Sequence, residues 1–324
     1  MSSTTSDAPQ VITLTAGERD SGVMSDRKFY DAVEAFFTDG IVVIENAIKV
    51  DIIDKLNERM LKDTEKLLND RQAAIYNHLN EDASLEGAME GGNLSQVPPI
   101  EPEWFFPEVY GNKHGVRVMS AVLGPRPEVH FLRSNTLLAT KDRQLVHADI
   151  LCKHPEHTFG IAYNTCLVDI GPENGTTELW LGTQNTNLSY HVKNGDPSIA
   201  QHHLDERRKV RAPCYPRIKK GSIVLRDLRL WHAGMPNPTK EVRIMLAIVY
   251  YAAWYKNELV TDMPHSMRPL VKGIEESSES RIAVNWVPDE GYNYLLNEFS
   301  RNFSSSVTPE IWEEIERLQA TKNS

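Results

Sequence analysis

Hydrophobic and polar positions recur with two different periods along the chain, and the change of period divides it into two parts. In the first part, the spacing predicts a helix that begins at Asp26 and stops at Gly40, and a second amphipathic helix over residues 50–72. The apolar run 41–48 between them predicts a strand. The apolar positions that carry the two helices are Phe29, Val33, Phe36 and Phe37, and then Ile53, Leu56, Met60 and Leu67.

From about residue 129 onward, β-branched and aromatic runs are separated by Gly, Pro and Asn, which is typical of strands and turns. Helices followed by a block of strands do not form the alternating pattern of a doubly wound sheet, and no GxGxxG or GxxxxGK[ST] phosphate loop is present. The sequence therefore predicts a mainly β fold with flanking helices (α+β) and a closed or double-sheet antiparallel core such as a jelly roll. The predicted strands are 129–132, 135–140, 157–170, 177–182, 221–227 and 242–255.

The same patterns predict one domain with a tail. Residues 1–25 are polar and predict a disordered N-terminal tail, so that residues 26–324 form the single domain. Residues 77–103 are rich in Gly, Pro, Asn and Glu, and their hydrophobic positions show no regular spacing. This pattern favours a lid-like loop. A C-terminal helix is predicted to begin at Thr308, with Pro309 in its first turn.

Composition narrows the class of protein. The 324 residues are 40% apolar and 25% charged, which is ordinary for a soluble globular protein. The net charge of −10 disfavours a nucleic-acid partner, and no apolar run is long enough to span a membrane. With no secretory pattern at the N-terminus, and with three cysteines that show no CxxC spacing, we expect a cytoplasmic protein without a disulfide framework or a cysteine-based zinc site.

A candidate metal site begins in the stretch RQLVHADILCKHPEHTFG. His147 and Asp149 are two residues apart, so on a strand or at its end both side chains point to one face, about 7 Å apart along the chain. His232, at a strand end in RDLRLWHAGMPNP, is a candidate third ligand. Two histidines and one carboxylate suit non-haem Fe(II) with three positions left open. The alternative is a hydrogen-bonded histidine at a strand edge and a carboxylate that caps a turn or a helix.

Arg243 opens an otherwise apolar strand eleven residues after His232. An arginine that faces the interior needs an anionic partner, and its planar fork matches a carboxylate. Tyr251 has the same parity along the strand, so it can face the same side. The alternative is an arginine at a strand start that reaches a surface acid.

Taken in order, the HxD motif, GPENGTTELWLGTQ and GSIVLRDLRLWHAGMPNPTKEVRIML resemble the phytanoyl-CoA dioxygenase-like branch of the Fe(II)/2-oxoglutarate-dependent oxygenases, in the type found in fungal secondary metabolism. The resemblance covers roughly residues 28–255. It implies a double-stranded β-helix core of the jelly-roll or cupin type, iron bound by His147, Asp149 and His232, and O2 and 2-oxoglutarate as co-substrates. It also implies that Arg243 binds the C5 carboxylate of 2-oxoglutarate.

The resemblance implies less specific roles for four further residues. Tyr251 and Thr177 are candidate helpers at the co-substrate, and Gln144 and Asn135 are candidate contacts to the co-substrate or to the ligands. Three positions depart from the wider family: Leu181 and Gln184 replace a Pro and a His in the glycine-rich turn, and Leu145 stands where some relatives have a glutamine.

The resemblance also bears on the reaction. Related halogenases have Gly or Ala at the position of Asp149, so a carboxylate there favours hydroxylation, desaturation or ring rearrangement. The expected substrate is a small organic intermediate of secondary metabolism, such as a meroterpenoid, an alkaloid or a polyketide, and the family raises a homodimer as an option. Two alternatives remain open from the residues: a 2-oxoglutarate-independent cupin-type metalloenzyme, and a non-catalytic β-helix binding module.

Overall fold

The computed structural model describes residues 7–69, 92–150, 157–185, 190 and 198–297. Within these ranges the helices are α1 (Ala16–Ser21), α2 (Asp26–Asp39), α3 (Val50–Asn69), α4 (Pro107–Tyr110), α5 (Lys113–Leu123), α6 (Gln201–Val210) and α7 (Arg268–Ser278), with short 3-10 helices at His265–Met267 and Tyr294–Leu296. The strands are β1 (Val11–Thr13), β2 (Ile41–Glu45), β3 (Asn93–Leu94), β4 (Glu128–Leu137), β5 (Gly160–Cys166), β6 (Thr177–Leu179), β7 (Ile223–Asp227), β8 (His232–Gly234), β9 (Arg243–Tyr251), β10 (Thr261–Pro264), β11 (Arg281–Ile282) and β12 (Val284–Val287).

The main sheet has eight strands in the order β1-β2-β7-β5-β9-β4-β11, with β3 also paired to β4. Its central pairs, from β2 to β4, are antiparallel, whereas β1 and β11 add parallel edges. Neighbours in this sheet are distant in the chain, as in β2–β7 and β4–β9. A jelly-roll core, which the sequence predicted, has crossing connections of this kind between its strands.

A second, smaller sheet faces the main one. It is formed by β6 and β8 and is extended by single bridges from His147 to Ser198 and His232, and from Leu179 to Cys214. A buried apolar cluster lies between the sheets, with Val43, Val224 and Met245 from the main sheet and Leu179 and Leu181 from the smaller sheet. The predicted mainly β fold with a double-sheet core and flanking helices is confirmed.

The helices cover the outer face of the main sheet. Helices α2 and α5 pack against each other and against β2, β5 and β7, and the largest apolar core lies between these layers. Strand alternation separates the two cores, since Ile244, Leu246 and Ile248 of β9 belong to the helix-side core, whereas Met245 faces the smaller sheet.

The N-terminal half follows the predicted pattern closely. Ser25 accepts a hydrogen bond from the Lys28 backbone N–H at the start of α2, and Gly40 ends the helix in the left-handed region with a φ of 74°. Helix α3 buries Ile53, Leu56, Met60 and Leu67, the four positions predicted to share one face. Strand β2 is buried along Ile41–Ile44 because it lies inside the sheet.

The prediction of a disordered tail over residues 1–25 is wrong for the part that the structure describes. Strand β1 pairs in parallel with β2, and α1 begins at a capping box in which Thr15 and Glu18 each accept a hydrogen bond from the other's backbone N–H. Polar residues dominate this segment because capping uses them and because alternate residues of an edge strand face solvent. Residues 1–6 lie outside the described ranges.

The structure changes two other predictions and adds one helix that the sequence did not predict. Of the lid-like loop 77–103, residues 92–103 contain β3 and a run that is buried from Leu94 to Ile100, so this part is packed. The two strands predicted at 129–140 form one strand, β4, with an irregularity between Val129 and Phe131. The charged segment 201–210 forms helix α6, with Leu204 buried. Residues 77–91 and the C-terminal helix predicted from Thr308 lie outside the described ranges.

Candidate active site

Backbone pairing brings the three predicted ligands together. His147 and His232 exchange two backbone hydrogen bonds of 2.9 Å, and the Asp149 N–H donates to the Leu228 carbonyl at 2.9 Å. One ligand atom from each of His147, Asp149 and His232 lies within 4.8 Å of the others. The Asp149 Oδ1 atom is 3.4 Å from His232 Nε2 and 3.9 Å from His147 Nε2.

Both histidines are oriented by carbonyl groups two residues earlier in the chain. His147 Nδ1 lies 2.8 Å from the Leu145 carbonyl oxygen, and His232 Nδ1 lies 3.0 Å from the Leu230 carbonyl oxygen. Because a carbonyl only accepts, the tautomer that satisfies both carbonyls carries its proton on Nδ1. In that tautomer each ring directs an unprotonated Nε2 toward the Asp149 carboxylate, which is the arrangement that a metal ligand needs.

The site keeps its ligands in metal-binding protonation states. Burial and the neighbouring His232 ring lower the pKa of His147 to about 4. Burial pushes the pKa of Asp149 upward, but the Arg226 guanidinium and the His232 ring outweigh it and hold that pKa well below its usual range. At neutral pH the structure therefore offers a neutral imidazole at His147 and an ionised carboxylate at Asp149.

Arg226 contacts the site and was not among the predicted residues. Its Nη2 donates to Asp149 Oδ2 at 2.6 Å, and its side chain is largely buried. The sequence carries a signal for it, since an arginine inside the apolar strand GSIVLRD is as unusual as Arg243 in its own strand. Arg226 and Val224 are two residues apart on β7, so their side chains point to the same face of the sheet. The Val224 side chain lies between the two sheets, and the Arg226 side chain therefore points into the same space.

A separate apolar cluster supports the ligand-bearing backbone from behind. Val146 and Ala233, which flank His147 and His232, are buried against Trp180 and Trp231. The two tryptophan rings are 6.5 Å apart, and Arg208 of α6 lies over the Trp180 ring. Since these side chains pack on the opposite face of the strands, they fix the direction in which the histidines point.

Arg243 is buried, with 5% exposure, at the start of β9. Its Nη1 donates a long hydrogen bond of 3.4 Å to the Asn135 carbonyl, its Nε has no partner, and no carboxylate of the described residues forms an ion pair with it. Burial lowers the pKa of the guanidinium to about 10, so Arg243 stays charged at neutral pH. A buried cation with an unused donor fits the carboxylate of a bound organic acid.

The structure places three of the four lesser candidates near this interior. Asn135 lies opposite Met245 on β4, and its carbonyl accepts the hydrogen bond from Arg243. Gln144 Oε1 accepts from the Gly234 N–H at 2.8 Å, at the end of β8. Thr177 pairs with the same Gly234 from β6. Gln144 and Thr177 therefore flank the strand that begins with His232.

Tyr251 is not brought to Arg243. The two residues share a parity but stand at opposite ends of β9, and eight residues of extended chain span about 26 Å. The Tyr251 ring stacks on Tyr255 with centroids 5.4 Å apart and meets the edge of His130. The predicted helper role of Tyr251 at the carboxylate held by Arg243 is therefore wrong, because strand length separates them.

None of the helices in the described ranges is both long and apolar enough to cross a membrane.

Comparisons with known proteins identify the family and the fold of the chain. The family model of phytanoyl-CoA dioxygenase (PhyH) matches residues 36–245, more than half of the chain. The crystal structure of EctD from S. alaskensis with 2-oxoglutarate and 5-hydroxyectoine is similar, with a TM-score of 0.54 and 21% identity over 71% of this chain and 76% of that chain. EctD with bound Fe gives a TM-score of 0.53 and 20% identity over 73% and 79% of the two chains.

A third similar structure is the non-heme alpha ketoglutarate dependent epimerase SnoN from nogalamycin biosynthesis. Its TM-score is 0.51 at 14% identity, over 71% of this chain and 85% of that chain. At these identities the likeness shows the shared fold, whereas the family match rests on the sequence. The chain belongs to the phytanoyl-CoA dioxygenase family and is a non-haem iron- and 2-oxoglutarate-dependent oxygenase.

Proposed function

We propose that His147, Asp149 and His232 bind Fe(II), and that Arg243 binds the C5 carboxylate of 2-oxoglutarate. The observation that carries the proposal is the convergence of two Nε2 atoms and one carboxylate oxygen within 4.8 Å of one another. Arg243 is buried and has no carboxylate partner among the described residues, which supports its proposed binding to the C5 carboxylate. Iron with 2-oxoglutarate and oxygen supplies an oxidant that removes hydrogen from an organic substrate.

The protein's own residues have separable tasks in this reaction. The carbonyl groups of Leu145 and Leu230 hold the histidine tautomers, so that both Nε2 atoms stay free to bind the metal. Arg243 orients the co-substrate by its far carboxylate. Val43, Leu179, Val224 and Met245 line the space between the sheets and exclude water from it.

The proposed substrate is a small organic intermediate of a biosynthetic pathway, and the proposed outcome is hydroxylation, desaturation or ring rearrangement. Two of the similar structures support a small-molecule substrate, since one contains 5-hydroxyectoine and the other acts in nogalamycin biosynthesis. The carboxylate of Asp149 supports a reaction without halide, because it fills the ligand position that a halide would need.

The test of this function is the release of succinate. Protein loaded with Fe(II) without oxygen is given 2-oxoglutarate and then air, and we expect succinate to form. His147→Ala and Asp149→Ala should abolish this turnover while the circular dichroism spectrum stays native. His202→Ala, which removes an exposed histidine of α6, serves as the control and should retain turnover. A wild-type protein that neither binds nor consumes 2-oxoglutarate would show the proposal to be wrong.

A further inference from the structure

Arg226 divides the two oxygens of Asp149 between two tasks. Oδ2 accepts a hydrogen bond from Arg226 Nη2 at 2.6 Å, whereas Oδ1 faces the Nε2 atoms of the two histidines at 3.4 and 3.9 Å. A carboxylate can bind a metal through one oxygen or through both. In this structure only Oδ1 points to the place where the three ligand atoms converge.

The Arg226 side chain is held firmly in this position. Its backbone lies in the middle of the main sheet, paired with Ile41 on one side and Ala162 on the other. The residue is 8% exposed, and its Nη1 lies 3.2 Å from His232 Nδ1. In the tautomer whose Nδ1 donates to the Leu230 carbonyl, this second contact packs the guanidinium against the ring without a hydrogen bond.

The number of oxygens that Asp149 donates decides how many positions a bound iron keeps free. Six-coordinate iron with two histidines and one carboxylate oxygen has three positions left, which 2-oxoglutarate and oxygen require together. A second bond from Oδ2 would remove one of them. A charge-assisted hydrogen bond to Oδ2 opposes that second bond, since it engages one of the two lone pairs of this oxygen and holds a cation beside it.

We propose that Arg226 is a positioning residue that restricts Asp149 to one metal-binding oxygen and thereby preserves the site for 2-oxoglutarate. This inference rests on the iron site of the proposed function. It goes beyond that site because Arg226 binds neither iron nor co-substrate. It acts through Asp149, and its effect is on coordination number and not on the presence of the metal.

The test compares Arg226→Met with Arg226→Lys in protein loaded anaerobically with Co(II), which needs no turnover. In Arg226→Met, Oδ2 is released and a nearby positive charge is lost, so Co(II) should bind at least as tightly as in the wild type. The affinity of the Co(II) form for 2-oxoglutarate should fall about tenfold or more, because chelation must now displace a carboxylate oxygen. Arg226→Lys retains a cationic donor and should recover most of that affinity.

Arg229→Met is the matched control. Arg229 is buried to a similar degree, with 7% exposure, and its guanidinium pairs with Asp227 at 2.8 Å and donates to Thr158. We expect Arg229→Met to bind 2-oxoglutarate like the wild type in the Co(II) form. A crystal structure of Co(II)-loaded Arg226→Met should show both oxygens of Asp149 bound to the metal.

Two results would overturn the inference. One is an Arg226→Met protein whose Co(II) form binds 2-oxoglutarate as tightly as the wild type. The other is an Arg226→Met protein that no longer binds Co(II), which would mean that Arg226 only keeps Asp149 in place. Failure of the proposed function looks different, since the wild-type Co(II) form itself would then not bind 2-oxoglutarate.

Discussion

At the scale of single residues, two buried arginines face the space between the sheets, and they differ in what neutralises them. Arg226 is paired with Asp149 inside the protein, whereas Arg243 has no carboxylate partner among the described residues. A buried guanidinium without an anion is costly, so of these two arginines only Arg243 carries that cost. The free energy is recovered when a carboxylate of a bound molecule completes the pair.

The first prediction concerns Arg243→Met. A desolvated charge pair of this kind is worth about 2–5 kcal/mol, so the apparent requirement for 2-oxoglutarate should rise by roughly 30-fold to 4,000-fold. The measurement is succinate formation as a function of 2-oxoglutarate concentration, with Co(II) binding as a second readout that should not change. Arg243→Lys retains the positive charge but loses the two-pronged guanidinium. Its requirement for 2-oxoglutarate should therefore lie between those of the wild type and Arg243→Met. An unchanged requirement in Arg243→Met would remove Arg243 from the site.

At the scale of elements, the small β6–β8 sheet determines the geometry of the ligands. The Leu179–His232 pair and the His147–His232 bridge place the two histidines on adjacent strands, so that their ring centroids are 4.4 Å apart. These strands are only three residues long, and tryptophan packing behind them compensates for the few backbone hydrogen bonds.

Helix α5 is fastened to the rest of the fold by its N-cap. Asn112 Oδ1 accepts hydrogen bonds from the N–H groups of His114 and Gly115, and its Nδ2 donates to the carbonyls of Ala47 and Glu108. Asn112 is buried, so water cannot replace these four hydrogen bonds. The helix in turn packs against α2 and against β5 and β7 of the main sheet.

We expect Asn112→Ala to lower the free energy of unfolding by at least about 2 kcal/mol, since a helix cap and two buried carbonyl partners are lost together. Denaturant unfolding measures the change. Ser25→Ala is the matched control, because Ser25 caps α2 at an exposed position through one hydrogen bond of 3.5 Å. Equal losses in the two variants would contradict the role given to burial.

At the scale of the whole molecule, a buried histidine makes the stability of the fold depend on pH. His114 of α5 is 1% exposed, and its ring nitrogens lie near the Glu18 and Arg19 carbonyls without forming a hydrogen bond of normal geometry. Burial lowers its pKa from the ordinary 6.5, although the carbonyls of Glu18 and Arg19 and the Glu18 carboxylate oppose this shift. Arg117 on the same helix adds to the lowering.

The sign of the effect follows from the proton count. As the pH falls below about 6.5, the unfolded chain takes up a proton at His114 that the folded protein does not, so the stability of the fold decreases. We expect the free energy of unfolding, measured by denaturant at pH 7.5 and 5.5, to fall less steeply with decreasing pH in His114→Leu than in the wild type. Met119→Leu, at a buried uncharged position of α5, should retain the wild-type slope. Equal slopes in all three proteins would contradict the prediction.

Particular residues show how much of the fold was predictable. The helical spacing in α2 and α3 and the β-branched runs in β5, β7 and β9 gave the elements, because burial on one face imposes a period on the sequence. Helices α5 and α7 were not predicted from the sequence, although both have a buried face. The short N-terminal strand β1 and helix α1 were taken for a tail, since elements of three and six residues are too short to show a period.

The residues of the site also fall into those that the sequence could propose and those that only the tertiary structure brings together. Residue type, order and the family resemblance were enough to propose His147, Asp149, His232 and Arg243, because a metal site and a buried anion site each need particular side chains whose chemistry the sequence carries. Which side chains meet was decided by strand register and length. Register brings Arg226 to Asp149, and strand length separates Tyr251 from Arg243. Such contacts depend on long-range pairing across the sheets, which local sequence does not encode.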